Sequence, residues 1–425
     1  MSRNKITIRS FYYNKWTALF LSNFLGVFND NFLKNCIIFI GVSWSLPAWL
    51  SHSQLISIVS ASMVVPFLVL SPYAGRLAVI HSKKAVFRFF RLLEIPIMIL
   101  ASISFYFHWI LLAVFSVLLM GIHTSLHSPA KRSLIRDIGG IEGVSFGSGM
   151  FETMIFLAIL IGTVTASIIS EFYNIKTVIA IFIGVALLGY WFTREVKAIE
   201  LPEEKEEIII LNPFRFLVES FRFARQHENV NTAVFGASAF WLVGAMFQMN
   251  LIIHTKNVYQ ESNSITGLVL AFAAIGIAMG SWATGKLSGH TVKKGFILIG
   301  ISGISILMLT LTLFKPDLPL YMIIVFCIGF FGGFFQIPNQ SMLQQADLGR
   351  KLGTMVGYLN LVTYIFVLIG TLFFSLTTHF TGQNSFAVFG AILFVCLIIV
   401  VYFLKVSPVY WQETARILKI KPSTE

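Results

Sequence analysis

Charged side chains occur at a few positions inside long apolar runs of the sequence, where they are costly unless they serve a purpose. Of the 19 acidic residues, Asp30, Glu94 and Glu152 lie well within such runs, as do the basic residues Lys34 and Arg91. At these positions they could bind an oppositely charged ligand group, and a carboxyl could also carry a proton. Two alternatives stay open, because Asp30 with Lys34 at i,i+4 and Arg91 with Glu94 at i,i+3 could simply neutralise each other.

Neutral polar residues extend this set. Asp30 lies about 14 residues into the first apolar run, which places it ~21 Å along a helix and near its middle. Asn23, Asp30 and Lys34 form one stripe, with Asn31 beside it. Such a stripe must face a cavity or a partner helix rather than lipid tails. The predicted substrate-binding residues are Asp30, Asn31, Lys34, Arg91, Glu94, Glu152, Trp241, Gln248, Gln336, Asn339 and Asn360.

The sequence carries no pattern that predicts catalysis. None of the nine histidines has an aspartate five positions later, and no serine-nucleophile motif, metal-ligand spacing or phosphate-binding glycine loop occurs. Cys36, Cys327 and Cys396 lie in apolar runs and give no disulfide framework. We therefore expect no catalytic residue, no metal and no cofactor. His123 and His127 could bind phosphate, although an interfacial position is the favoured interpretation.

The composition excludes an ordinary soluble protein. Hydrophobic residues make up 56% of the chain and charged residues 12%, against roughly 25% charged in a globular domain. Phenylalanine alone accounts for 42 of 425 residues. A soluble core cannot hide that much apolar surface, so the composition predicts an all-α polytopic membrane protein.

Membrane-spanning helices need about 20 apolar residues each. The sequence contains twelve such stretches, and they predict spans at 16–41, 54–80, 84–107, 109–130, 143–170, 174–193, 231–255, 263–286, 295–314, 319–343, 353–378 and 384–404.

Basic residues are distributed very unevenly between the two sides of these spans. Twenty-six of the 31 lie in one set of alternate segments, whereas the opposite set holds only Lys176, Lys256 and Lys315. Positive charge accumulates on the cytoplasmic side of membrane proteins. This asymmetry predicts that both termini are cytoplasmic, and it explains the net charge of +12 without a nucleic-acid partner.

The longest hydrophilic stretch, 194–230, separates the sixth and seventh spans. It divides the chain into a predicted six-helix bundle at 1–193, a cytoplasmic linker at 194–230, and a second six-helix bundle with its tail at 231–425. Asn212 and Pro213 are typical of a helix start. Phe214, Leu217 and Phe221 follow at helical spacing, with arginines on the other side, which predicts an amphipathic helix on the inner leaflet. A plain linker is the alternative. The tail from Tyr410 to Lys421 is expected to lie on the leaflet as well.

The two halves of the chain repeat each other. Gly149, Gly162 and Ser167 recur as Gly357, Gly370 and Ser375 at an offset of 208 residues, and Pro129 recurs as Pro338. Such a repeat predicts six plus six helices related by an axis along the membrane normal. Glu152 corresponds to Asn360, which suggests either an asymmetric site or a hydrogen bond at a gate.

The repeat, the cytoplasmic middle loop and the basic loop after the second helix of each half resemble the major facilitator superfamily. That resemblance implies two six-helix bundles around a central cavity that opens alternately to each side. The loop GRLAVIHSKK departs from the family pattern, because Val79 stands where an acid is expected. A charge lock at that loop is therefore not expected.

Four segments resemble a narrower family. SNFLGVFNDNFLKN (22–35), HSPAKRSLI (127–135), FWLVGAMFQ (240–248) and GFFGGFFQIPNQSMLQQ (329–345) are similar to bacterial lysophospholipid transporters. RLLEIPIM (91–98) is similar to the transporter part of members fused to an acyltransferase. Only about 20 residues follow the last span, which leaves no room for that fused domain.

The narrower resemblance implies a flippase. It would move lysophospholipids such as lyso-phosphatidylethanolamine and lyso-phosphatidylglycerol to the inner leaflet of the bacterial inner membrane for reacylation. The implied partners are the substrate, membrane lipids and a cytoplasmic acyltransferase/acyl-carrier-protein synthetase, and the protein is expected to be a monomer. A proton-coupled exporter of small hydrophobic compounds, with Asp30 or Glu152 carrying the proton, is the alternative function. A membrane-embedded acyltransferase is disfavoured by the missing catalytic motifs.

Overall fold

The computed structural model describes residues 15–172, 174–202 and 212–419, which contain thirteen α-helices and no strand. The first part comprises α1 (Thr17–Phe39), α2 (His52–Ile80), α3 (Lys83–Phe107), α4 (Ile110–Glu171), α5 (Ile175–Arg194) and α6 (Pro213–Ala224). The second comprises α7 (Val230–Asn257), α8 (Asn263–Ser288), α9 (Gly295–Leu313), α10 (Leu318–Gln345), α11 (Leu352–Phe380), α12 (Ser385–Val406) and α13 (Pro408–Ile417). The predicted all-α class is confirmed.

Nine helical stretches of the described chain are long and apolar enough to cross a membrane. The helices α1 and α3 are not among them. When these two are added and α4 is counted as two spans, the number agrees with the twelve predicted. Large side chains such as Phe89, Ile306 and Phe394 stay 56–65% exposed, as expected where lipid is the solvent.

The fourth and fifth predicted spans follow each other in the stretch α4 with only a kink between them. This stretch of 62 residues consists of two helices that meet at the kink. It is interrupted only at Gly140, whose φ of 65° and ψ of −176° suit glycine. The spans predicted at 109–130 and 143–170 agree with two helices that meet at Gly140, and the basic segment after Pro129 is helical up to this kink.

The chain forms two compact units that do not follow the sequence order. Unit 1 contains the chain up to Gly140, Leu157–Ser220 and Leu348–Tyr358, and unit 2 contains Ile141–Phe156, Phe221–Asp347 and the chain from Leu359. Each unit thus includes a short segment from the other half of the sequence. The predicted division at 193 and 231 follows the spans and stays a prediction.

The same close helix crossing occurs once in each unit, as the repeat suggests. In unit 1, a Cβ added to Gly357 would lie 3.0 Å from the Cα of Gly75. In unit 2, a Cβ added to Gly149 would lie 2.8 Å from the Cα of Gly285. These four glycines are pairwise equivalent in the repeat, and they allow the two backbones to touch.

The tail helix α13 packs against unit 2 rather than only on a leaflet. Tyr410 is fully buried, and its ring meets Phe403 edge to face at 5.2 Å. The carboxylate of Glu413 accepts a hydrogen bond from the backbone N–H of Gly295 at 3.1 Å, at the start of α9. The prediction that the tail lies on the leaflet stays a prediction, and one face of the helix is covered by protein. Lys421, the N-terminal residues 1–14 and the acidic run at 203–207 lie outside the described residues.

Candidate functional site

Asp30 lies in unit 1 between α1 and α4. Its side chain is 9% exposed, and both carboxylate oxygens lie 3.2 Å from the hydroxyl of Thr124, which donates to them. This contact joins the middle of α1 to α4. Asp30 bonds to another helix, and its charge also acts on the half-buried Lys34, so the pairing of these two residues stays an open alternative. The amide of Asn31 donates to the Val27 carbonyl of its own helix at 2.8 Å.

A second cluster joins α1 to α3. Arg91 and Glu94 form an ion pair in which their side chains are 1% and 0% exposed. The other carboxylate oxygen of Glu94 accepts a hydrogen bond of 2.8 Å from the amide of Asn29. The structure therefore realises the pairing of Arg91 with Glu94 that the sequence left open. Breaking a buried pair of this kind leaves an uncompensated charge and is strongly destabilising.

Two glycines make room for the Arg91 guanidinium. A Cβ added to Gly26 of α1 or to Gly189 of α5 would overlap its nitrogen atoms. Arg91 is thus enclosed by three helices, yet its Nε and Nη2 atoms are buried without a hydrogen-bond partner. Donors left over in this way are available to a ligand or to water.

Lys131 belongs to the same electrostatic neighbourhood, which sequence reasoning missed. It belongs to one of the basic segments that the charge asymmetry predicts to be cytoplasmic, but its side chain is only 6% exposed. The charges of Glu94, Lys131 and Arg91 all act on Asp30. The two nearby histidines are also buried, and His123 bonds to the Phe90 carbonyl at 2.6 Å. Its neighbour His127 stacks on Phe90.

Unit 2 holds the second part of the predicted site. Glu152 is fully buried, and its Oε1 atom accepts a hydrogen bond of 2.8 Å from the amide of Gln340 on α10. One turn earlier, Gln336 is 1% exposed, and both of its amide atoms lack a hydrogen-bond partner. A buried amide without partners is rare and calls for a ligand or water. Carboxylate and amide groups in this arrangement suit a polar, hydrogen-bonding ligand.

The remaining predicted residues are spread over unit 2. Asn339 donates to the Phe335 carbonyl of its own helix at 2.7 Å and packs against Gly236 of α7. Trp241 stacks on Phe156 with ring centroids 6.0 Å apart. Gln248 is exposed and Asn360 is 8% exposed. The structure brings Glu152 close to α10. The substrate-binding roles of all these residues stay predictions.

The sequence missed Asn29, Thr124 and Gln340 as partners of the buried carboxylates. Asn29 stands next to Asp30 in the FNDN segment, and this proximity was the only signal for it. Thr124 and Gln340 are ordinary polar residues whose importance depends on a facing helix. Within the described ranges, no group of three His, Cys, Asp or Glu side chains could hold a metal ion.

A charged network also forms at the loop between α2 and α3, where no lock was expected. Arg350 is 1% exposed and donates to the carbonyls of Val79 at 2.9 Å and of His81, and to the Glu200 carboxylate at 3.3 Å. Lys83 pairs with Asp137 at 2.7 Å. The expectation based on Val79 was wrong, because the backbone carbonyl of that residue, rather than a carboxylate side chain, receives the arginine.

Glu200 also stabilises the start of α3. Its carboxylate accepts hydrogen bonds from the backbone N–H groups of Lys83 at 2.5 Å and Lys84 at 3.1 Å, and from the Ser82 hydroxyl at 2.9 Å. Burial alone would raise the pKa of Glu200, but these hydrogen bonds and Arg350 together bring it below its usual value. The carboxylate therefore acts as an ionised cap on the helix N-terminus.

Comparisons with known proteins agree with this architecture. A family model described as Major Facilitator Superfamily matches residues 19–371. The lysophospholipid transporter LplT of Yersinia pestis (strain Pestoides F) is 23% identical over 352 residues, which cover 81% of this chain and 82% of the relative. The corresponding protein of Yersinia pseudotuberculosis serotype O:3 (strain YPIII) matches to the same extent.

Solved transporter structures share the fold. The human organic anion transporter MFSD10 (TETRAN) superimposes with a TM-score of 0.72 at 12% identity, covering 90% of this chain and 99% of that one. The transporter FucP in its outward conformation gives a TM-score of 0.69 at 13% identity, covering 91% and 97%. At this level of identity the likeness concerns the fold alone.

Proposed function

Because this chain belongs to the major facilitator superfamily and is a multi-pass membrane transporter, we propose that its substrate is a lysophospholipid. The 23% identity to proteins named lysophospholipid transporter supports this substrate class. The FNDN and SPAK segments, on which the resemblance was first drawn, lie on α1 and α4. Both segments contribute side chains to the buried polar cluster of unit 1.

The observation that carries the proposal is the mixture of charges in that cluster. Asp30 and Glu94 supply carboxylates, while Arg91 and Lys131 supply cations, and all four are at most 9% exposed. A site for a simple anion or a simple cation needs only one sign of charge. A zwitterionic head group needs both, since its phosphate and ammonium each require a counter-charge when water is removed.

We assign complementary roles to these side chains. The phosphate of the head group is bound by Lys34, Arg91 or Lys131, and the ammonium group by Asp30 or Glu94, all of unit 1. The single acyl tail lies among the apolar side chains of the spans, which are no more polar than lipid. The proposed site accepts one acyl tail, and diacyl lipids are not substrates.

The setting of this activity is part of the proposal. The basic segments favour an inner-membrane protein with both termini in the cytoplasm. Transport by alternating access would bring the lysophospholipid to the inner leaflet, where a cytoplasmic acyltransferase/acyl-carrier-protein synthetase could reacylate it. The protein would act as a monomer without a cofactor, and the chemistry of reacylation would belong to the partner.

A proton-coupled exporter of small hydrophobic compounds is the second candidate. The burial of Asp30, with Thr124 as its hydrogen-bond donor, favours it, because such a carboxyl could bind and release a proton during transport. This function predicts transport that stops when a protonophore is added and is indifferent to lysophospholipid.

The proposal is tested by uptake of labelled lyso- and diacyl-phosphatidylethanolamine into proteoliposomes, with and without a pH gradient. We expect the lyso form to be taken up and the diacyl form to remain at the level of protein-free vesicles. Equal handling of both lipids would refute the lysophospholipid assignment. Uptake of neither, with gradient-driven export of a hydrophobic dye, would favour the second candidate.

A further inference from the structure

The helix α6 presents a distinct surface that the proposed transport activity does not use. It begins at Pro213 because the side chain of Asn212 accepts hydrogen bonds from the backbone N–H groups of Phe214 at 2.9 Å and Arg215 at 3.2 Å. Such a cap fixes the first turn of a short helix. The surface is therefore a defined structure rather than a plain linker.

The buried side of α6 is a line of residues at i,i+4 spacing. Phe216 is 4% exposed, Ser220 5% and Ala224 1%. On the opposite side, Phe214 is 75% exposed and Phe221 is 47% exposed. The sequence predicted an apolar side made of Phe214, Leu217 and Phe221. The residues that protein covers are instead Phe216, Ser220 and Ala224.

The arginines stand beside the exposed phenylalanines rather than opposite them. At 100° per residue, Arg222 and Arg225 fall within roughly 100° of Phe214 and Phe221, and both arginines are exposed. Arg215 forms an ion pair with Glu219 at 2.6 Å. No ion pair within 4 Å joins Arg222 or Arg225 to another residue that the structure describes. Two positive charges and two aromatic rings thus share one exposed surface.

The short connection to α7 keeps this surface of α6 close to the start of a membrane-spanning helix. Only residues 225–229 separate α6 from Val230, the first residue of a membrane-spanning helix. The side chain of Asn231 donates to the Phe221 carbonyl at 3.1 Å and ties the two helices together. The helix α6 is therefore held at the first turn of a membrane-spanning helix, a place where exposed aromatic rings and arginines suit lipid head groups.

We propose that the exposed surface formed by Phe214, Phe221, Arg222 and Arg225 binds anionic phospholipid head groups of the leaflet at which α7 begins. The two arginines supply the charge that a phosphodiester recognises, and the two rings enter the boundary between head groups and acyl chains. A soluble acidic protein would fit the charge, but it would leave two rings exposed beside a membrane that can bury them.

The test measures the lipids that remain bound to the purified full-length protein. The protein is extracted from vesicles of equal parts diacyl-phosphatidylglycerol and phosphatidylcholine, and the retained ratio is determined by mass spectrometry. Each arginine near an anionic surface contributes about a fivefold preference, so R222Q/R225Q should lose up to roughly 25-fold of the preference for phosphatidylglycerol. The variant F214S/F221S should lower the retention of both lipids.

A matched variant, K176Q/K256Q, removes the same charge from two exposed lysines elsewhere. It should keep the wild-type ratio. Equal losses in the two double variants would overturn the proposal in favour of a general charge effect, and so would an unchanged ratio in R222Q/R225Q. Folding is checked by size-exclusion chromatography, since the substituted side chains are exposed. The diacyl probe also keeps the result separate from that of the lysophospholipid proposal.

Discussion

The substitution Gly189→Ala tests the enclosed position of Arg91. Gly189 lies on α5, and a Cβ at this position would overlap the guanidinium nitrogens. The guanidinium is held by Glu94 and is 1% exposed, so it cannot move into solvent. We expect the extra methyl group to displace Arg91 and break its bond to Glu94.

The expected magnitude follows from two opposing effects. A charge-assisted hydrogen bond contributes about 1.5–3 kcal/mol. Replacing glycine by alanine inside a helix gains about 1 kcal/mol. The net loss for Gly189→Ala is therefore about 0.5–2 kcal/mol, which lowers the ratio of folded to unfolded protein by roughly 2–30-fold.

The same helix provides a control, because a Cβ at Gly184 would meet no atom within 4 Å. Gly184→Ala should be neutral or slightly stabilising. Unfolding in detergent, followed by fluorescence-detected chromatography after heating, would compare the two variants. In the charge-free background R91L/E94L, Gly189→Ala should cost nothing. A Gly189→Ala protein as stable as Gly184→Ala would refute the proposed enclosure of the guanidinium.

Three further predictions concern other carboxylates. Asp30→Asn should insert more easily by ~2–3 kcal/mol yet transport poorly in proteoliposomes, and wild-type uptake would remove Asp30 from the site. The exchange E152N/N360E keeps the charge count and should impair uptake, whereas full activity would assign Glu152 to a structural or gating role. Hydrogen bonds lower the pKa of Glu200 in the folded state. The ionised carboxylate therefore stabilises the fold fully above 4.5, the pKa of an unperturbed glutamate. This stabilisation is lost as the pH falls through the lower pKa of the folded state. Melting temperatures measured against pH should therefore fall less on acidification in Glu200→Gln than in the wild type; identical profiles would contradict this role.

The fold was predictable because hydropathy and charge asymmetry operate on whole spans. Twelve apolar stretches and the repeat were enough to indicate the superfamily, since each signal is summed over about 20 residues. The helical backbone between Pro129 and Gly140 was not predictable in this way. Basic residues after Pro129 look like a loop, but they keep a helical backbone until Gly140 interrupts it.

The residues of the candidate site were predictable only where a charged side chain lies within an apolar run, because burying a charge there costs free energy. Asp30, Glu94 and Glu152 stood out because the sequence around them is apolar. The burial of Lys131 and Arg350 was not visible, because both occur in basic segments that read as solvent-exposed. Their partners come from distant parts of the chain, and only the folded structure brings those parts together.

The central claim is that buried charges of both signs recognise the head of a single-tailed phospholipid. The most direct measurement is competition against labelled lyso-phosphatidylethanolamine in proteoliposomes containing the wild-type protein. Methylation of the amine removes every N–H donor that the carboxylates could bind. Unlabelled lyso-phosphatidylethanolamine should therefore compete better than lyso-phosphatidylcholine, and both better than diacyl lipids. Equal competition by lyso-choline lipid would contradict recognition of the amine by carboxylates, and equal competition by diacyl lipid would contradict the single-tailed substrate.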